Sequence, residues 1–194
     1  MRVLLTGFGP FPGAPVNPSA ALAAALARRR RPAFAGIERS IHIFATAYAA
    51  VDRDLPKLFA AQKPDIVLMF GLAGRRRHVC IETRARNAVS LLFPDASGQR
   101  PPRGAIALHG PASRAGNAPF ARLAGAARTN VRLSRDAGRY LCNYVYWRAL
   151  EAVRGGRPLV QFVHIPPTGG KSTLAKLIPT AEALLIALVA ASRR

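Results

Sequence analysis

Acidic residues are scarce in this chain, and so is lysine. Of 194 residues only nine are Asp or Glu, against 29 Lys or Arg, so the formal net charge is +20. Lys57, Lys63, Lys171 and Lys176 are the only lysines; arginine supplies the rest. Cysteine is nearly absent: Cys80 and Cys142 form no framework of spacings, which excludes a disulfide scaffold and fits a reducing, cytoplasmic setting. Long apolar runs are missing too. Residues 181–191 contain Glu182 and are too short to cross a bilayer, so they read as a packed helix, with no role for a membrane. No signal peptide is read, since Met1-Arg2 leads directly into a short apolar run. Hydrophobic residues make up 50% of the chain, a globular composition with enough apolar mass for one domain spanning 1–194.

The charge invites a nucleic-acid reading, because a basic surface gains from counterion release. Readers of single strands interleave basic and aromatic residues on one element. Here Arg28-Arg29-Arg30-Arg31 has no aromatic until Phe34, and Arg75-Arg76-Arg77 stands in a turn. Nonspecific polyanion binding is the extent of that expectation, and an arginine-rich surface coat explains the run equally well.

Apolar strand-like runs at residues 2–6, 39–44, 65–70, 79–82, 88–93, 129–133 and 159–165 alternate with helical patterns at 20–30, 47–61, 118–128, 137–153 and 181–191. A further short strand is read at 105–108 inside a loop-rich stretch. The alternation predicts a three-layer α/β domain with a mostly parallel sheet, whose ligands bind beyond the carboxyl ends of strands. Two phosphate-binding look-alikes fail. Gly7 and Gly9 begin a dinucleotide fingerprint, but residue 12 is Pro and prolines continue to Pro18. Gly170-Lys171-Ser172 ends like a P-loop, but the glycine required five residues earlier is Ile165. Asn17-Pro18-Ser19 reads as a helix start. Phe8 and Phe11, in a proline-stiffened loop, either fold back over the core or flank a small flat ligand.

The chemistry gathers around Ser134-Arg135-Asp136-Ala137-Gly138-Arg139-Tyr140-Leu141-Cys142-Asn143. Ser134 and Asp136 are candidate N-caps, with helix expected from Ala137 onward. Cys142 would then lie near a helix N-terminus, where exposed N–H groups favour a thiolate. Taken alone, such a residue reads more simply as a buried structural cysteine. Cys80 reads as structural. Two other elements change the balance for Cys142: a buried-type strand ending in His164-Ile165-Pro166, and Gly71-Leu72-Ala73-Gly74 followed by Ile81-Glu82. A thiol at a helix start, an imidazole at a strand end and a carboxylate after another strand are the parts of a Cys-His-acid site.

Together Leu5-Thr6-Gly7-Phe8-Gly9-Pro10-Phe11, Asn17-Pro18-Ser19, the Gly71 to Gly74 turn, Glu82 with Asn87, the Cys142 motif and Phe162-Val163-His164-Ile165-Pro166 resemble the pyrrolidone carboxyl peptidase family, peptidase family C15, over nearly the whole chain in order. The resemblance implies a phosphorylase/hydrolase-like α/β/α sandwich with a mixed, mostly parallel sheet. It implies a cysteine exopeptidase acting on peptides with an N-terminal pyroglutamyl residue, with Cys142 as nucleophile, His164 as base and acid, and Glu82 orienting the imidazole. Phe8, Phe11, Asn17, Gly71 and Leu72 would bind substrate. No metal or organic cofactor is implied, and members are often dimers or tetramers. The chain departs from the family pattern at Arg75, where glycine is usual, and at Thr83, where arginine is usual. That leaves open a divergent member with another substrate, or a binding protein on the same scaffold.

Overall fold

The computed structural model describes residues 1–11, 13–127, 131–167 and 171–193. Eight strands and five helices run in the order β1 (Arg2–Phe8), α1 (Pro18–Arg28), β2 (Glu38–Phe44), α2 (Tyr48–Gln62), β3 (Ile66–Leu72), β4 (Val79–Glu82), β5 (Arg84–Arg86), β6 (Ser113–Ala115), α3 (Phe120–Ala126), β7 (Val131–Ser134), α4 (Leu141–Glu151), β8 (Leu159–Ile165) and α5 (Lys171–Ser192) among the described residues. Six strands form the main sheet in the order β2-β1-β3-β8-β4-β7. Pairing is parallel except between β8 and β4, so the sheet is mixed and mostly parallel, as expected. β5 and β6 make a separate antiparallel pair.

The sheet is buried on both faces, which is why β1, β3 and β8 are nearly continuous apolar runs and not alternating ones. Val3, Leu5, Leu68, Phe70, Val163 and Ile165 face α1, α3 and α5. Leu4, Val67, Met69, Val160 and Phe162 face α2 and α4, where Tyr146 and Trp147 are wholly buried.

Four sequence expectations are corrected. Residues 88–93 are not a strand: Leu91, Leu92 and Phe93 stand exposed in a loop, and the neighbouring strand is β5, earlier in the chain. Residues 105–108 are irregular as well, bound by Asn87, whose Oδ1 accepts from the N–H groups of Ile106 and Ala107. Helix α4 begins at Leu141 and not at Ala137. Gly138 adopts φ 82°, a left-handed conformation that no helix continues through, and Ser134 and Asp136 make local turns to the N–H groups of Asp136 and Gly138. Helix α5 is longer than read, and its stretch Leu174–Ser192, of mean hydropathy 1.8, is long and apolar enough to cross a membrane by length and composition. The helix packs on α1, α3, β3 and β8 and buries Leu184, Leu185 and Leu188. The end of the strand read at 129–133 is β7, while Thr129, the helix residue Arg128 and the glycines of the P-loop look-alike lie outside the described residues.

Glu182 anchors α5. It is 5% exposed, and its carboxylate receives hydrogen bonds from Arg29 (2.6 Å) and Arg31 (3.1 Å) beyond the end of α1. Burial alone would push this carboxyl up, but the two arginines outweigh it and hold it below the usual range. Its stabilisation is therefore present above the ordinary carboxylate pKa and is lost as pH falls through the depressed one. Both arginines stay about half exposed, so Glu182→Gln is expected to cost only about 1–2 kcal/mol at pH 7. Denaturation against pH should show the difference from wild type closing below the ordinary carboxylate range; a constant difference down to strong acid would contradict the ion pair.

Candidate active site

Two glycines at strand ends set the geometry. At the end of β1 a side chain on Gly7 would meet the backbone of Ser19 at 2.7 Å, so glycine is what lets α1 start against the sheet. Asn17 caps that helix, its Oδ1 accepting from Ser19 N–H (3.1 Å), and its side-chain amide donates to the carbonyl of Gly9 (3.1 Å). Thr46 donates to the same carbonyl (3.1 Å), and Phe11 and Ala14 exchange backbone hydrogen bonds. The Phe11 loop is thus held from several sides.

At the end of β3 a Cβ on Gly71 would lie 2.7 Å from Cys142 Sγ and 2.6 Å from the Phe162 ring. The sulfur occupies the space a side chain would need. Gly71 stands opposite His164 in the β3–β8 register, and the rings of Phe162 and His164 meet edge to face at 5.0 Å. His164 Nδ1 is 2.8 Å from Glu82 Oε1, with Glu82 wholly buried and His164 5% exposed. The structure therefore brings Cys142, His164 and Glu82 to the α4 side of the sheet. Cys80 is buried in β4 opposite His164.

Glu82 is held at both ends. Its backbone carbonyl accepts from Tyr146 Oη (3.0 Å) and Gln161 Nε2 (3.1 Å). Its Oε1 accepts from His164 and also from Arg76 (2.6 Å). Desolvation would raise this carboxyl, yet the hydrogen bonds and charges of His164, Ser134 and Arg76 win and keep it below the usual range. Asn143, beside the thiol, clamps the chain beyond Glu82 to α4: its Oδ1 accepts from Arg86 N–H (2.8 Å), and its amide donates to the carbonyls of Arg86 and Ala88.

Cys142 is the second residue of α4, even nearer the N-terminus than the sequence suggested. The expected thiolate does not follow. Burial pushes the thiol up to about 12, and the charge of Glu82 adds to that, against smaller lowering by its own N–H and by Arg76. The resting group is therefore a thiol.

An apolar cavity of about 470 Å³ is lined by Phe11, Gly13, Phe93, Pro94, Asp95 and Tyr140, the last of these standing two residues before Cys142 in the chain. Phe8 stands outside that lining, 3% exposed, with its ring 6.0 Å from Phe44. Leu72, the last residue of β3, is half-buried opposite Ile165. Phe93, Tyr140 and Asp95 escaped the sequence reading. Pro94 after an aromatic was a signal for an ordered exposed loop, and Asp95 organises it by accepting from the N–H groups of Tyr48, Ser97 and Gln99. No cluster of three or more His, Cys, Asp and Glu side chains suited to a metal ion occurs among the described residues.

A buried mixed α/β sheet with a thiol, an imidazole and a carboxylate over one face defines the class of protein in structural terms. Comparison narrows the class. A family profile described as pyroglutamyl peptidase, peptidase C15, matches residues 1–181. The pyrrolidone-carboxylate peptidase of Thermococcus onnurineus is 32% identical over 171 residues, covering 86% of this chain and 84% of that protein. That of Gloeobacter violaceus is 32% identical over 170 residues, covering 86% and 82%. Among solved structures, the pyrrolidone carboxyl peptidase of Thermococcus litoralis aligns with a TM-score of 0.87 at 26% identity, covering 97% of this chain and 93% of that one. Pyroglutamyl peptidase I of Bacillus amyloliquefaciens aligns with a TM-score of 0.81 at 26% identity, covering 100% and 97%. The chain belongs to the pyroglutamyl peptidase family, a family of peptidases.

The close approach at Gly71 is directly testable. Gly71→Ala should displace Cys142 Sγ or the Phe162 ring, lowering the alkylation rate of Cys142 by about a hundredfold if the sulfur moves by about an ångström relative to its base. Unchanged alkylation of a folded variant would mean that the sulfur is not fixed against β3.

Proposed function

We propose that this chain is a cysteine exopeptidase that removes the N-terminal pyroglutamyl residue from peptides through a thioester. The observation that carries the reading is the pairing of His164 with the buried Glu82 carboxylate, opposite the glycine that touches Cys142 Sγ. The family supports the substrate, because the relatives named above are pyrrolidone-carboxylate peptidases. The cavity supports it too. Pyroglutamyl is a flat, uncharged lactam, and aromatic walls at Phe11, Phe93 and Tyr140 suit its faces without a countercharge.

In this mechanism His164 takes the thiol proton through Nε2 as Cys142 Sγ bonds to the acyl carbon. Glu82 on Nδ1 fixes the ring and stabilises the imidazolium. The N–H groups of the first turn of α4 have no intrahelical partners and are placed to hold the oxyanion. Collapse of the tetrahedral intermediate breaks the C–N bond, and the imidazolium gives its proton to the leaving amine. Water, deprotonated by His164, then attacks the thioester; pyroglutamate leaves and the thiol is restored. Phe8, buried against Phe44, supports the Phe11 loop from behind in this reading, and Asn17 holds it through Gly9. The chain acts as one domain, and two free thiols fit a reducing cytoplasm.

Hydrolysis of a chromogenic pyroglutamyl amide tests the activity. Cys142→Ser and His164→Ala should each lower kcat by about a thousandfold or more while leaving the fold intact, and the double variant should be little worse than either. Equal turnover of prolyl and pyroglutamyl amides, or full activity in Cys142→Ser, would overturn the assignment. Phe11→Ala should chiefly raise KM, by about tenfold, since it removes contact made in both ground and transition states. An unchanged KM would remove Phe11 from the pocket.

A further inference from the structure

Arg76 is a charged residue that the reaction does not require by itself, yet it is tied into the centre of the site. Its guanidinium donates to Glu82 Oε1 at 2.6 Å, the same oxygen that faces His164 Nδ1 at 2.8 Å. It also reaches Ser134 Oγ at 3.3 Å and the carbonyl of Asp136 at 2.5 Å. Those two residues begin the turn that leads through Gly138 into α4 and Cys142. One side chain thus joins the loop after β3, the acid on β4 and the segment that delivers the nucleophile. We propose that Arg76 is a positioning residue that balances the charge of Glu82 and sets the pH at which Cys142 becomes reactive, while fixing the entry of α4.

The charge balance gives the reason. Glu82 is wholly buried; its charge opposes a thiolate at Cys142, and the charge of Arg76 favours one. With Arg76 bound, the Arg76–Glu82 pair is neutral as a whole. The other groups facing this centre are few. Cys80 stands on β4; Tyr146 Oη, from α4, binds the Glu82 carbonyl; Ser134 ends β7 and Asp136 follows it; and Cys142 lies at the start of α4. Asp136 is itself exposed and 3.8 Å from Arg86, so Arg76 is the cation that contacts the buried carboxylate directly. The guanidinium matters for shape as well as charge: one nitrogen serves Glu82 and the other the Asp136 carbonyl, a fork that lysine cannot reproduce.

This inference rests on the peptidase reading, so its test includes a measurement that needs no substrate. Cys142 alkylation by iodoacetamide is followed against pH, by peptide mass, in wild type, Arg76→Gln and Arg76→Lys, with thermal denaturation to check folding. Losing the cation should move the alkylation profile of Arg76→Gln to higher pH by about one unit, and the acid limb of kcat/KM on a pyroglutamyl amide should move with it. Arg76→Lys should hold the wild-type profile but lower kcat, because the tether to Asp136 is lost. A folded Arg76→Gln variant whose profile overlays the wild type would overturn the proposal. So would an Arg76→Lys profile shifted to higher pH, and that comparison decides the matter if Arg76→Gln does not fold. A shifted alkylation profile in an enzyme that turns over no pyroglutamyl amide would count against the activity and leave the role of Arg76 standing.

Discussion

A carboxylate with no solvent exposure sits at the centre of this molecule, and much of the surrounding structure answers the demand it makes. Glu82 can stay charged only if donors reach it, and both of its close donors converge on one oxygen. His164 arrives from β8, which pairs with β4 in the one antiparallel contact of the main sheet. Arg76 arrives from the loop that follows β3. The carbonyl of Glu82 is fixed in turn by Tyr146 and Gln161. Strand order, helix placement and the turn at 73–78 all bear on a single ion.

The Cys142 thiol is held by a different kind of constraint. It depends on the missing side chain of Gly71 and on Asn143, which binds the strand beyond Glu82. Asparagine recurs in this role. Asn17 holds the Phe11 loop, Asn87 gathers residues 106–110, and Asn117 binds the carbonyls of Gly156 and Pro158 and the N–H of Val160. A side-chain amide both donates and accepts, so each stitches irregular backbone that has no ladder partner.

What could be read in advance follows from these physical differences. The buried strands announce themselves because both faces are apolar: Ile66 to Phe70 and Leu159 to Ile165 need no partner to be recognised. Glu82, Cys142 and His164 stand out by chemical type against apolar neighbours, and the motif order did the rest. Residues 88–93 misled because an apolar run standing exposed in a loop, at Leu91, Leu92 and Phe93, has the composition of a strand. The start of α4 misled because helix formers after Asp136 are interrupted by one left-handed glycine, a backbone state that composition does not encode. The thiolate misled because a helix N-terminus is visible in sequence, whereas burial, which outweighs it, exists only once the sheet is assembled. Arg76 was visible only as one of three consecutive arginines, and nothing local separates it from its exposed neighbours.

The contact between Cys142 sulfur and Gly71 also has a stereochemical consequence. With Gly71 of β3 close against one side of the sulfur, a new S–C bond would form on the opposite side. A group bonded to the Cys142 sulfur would therefore extend away from β3.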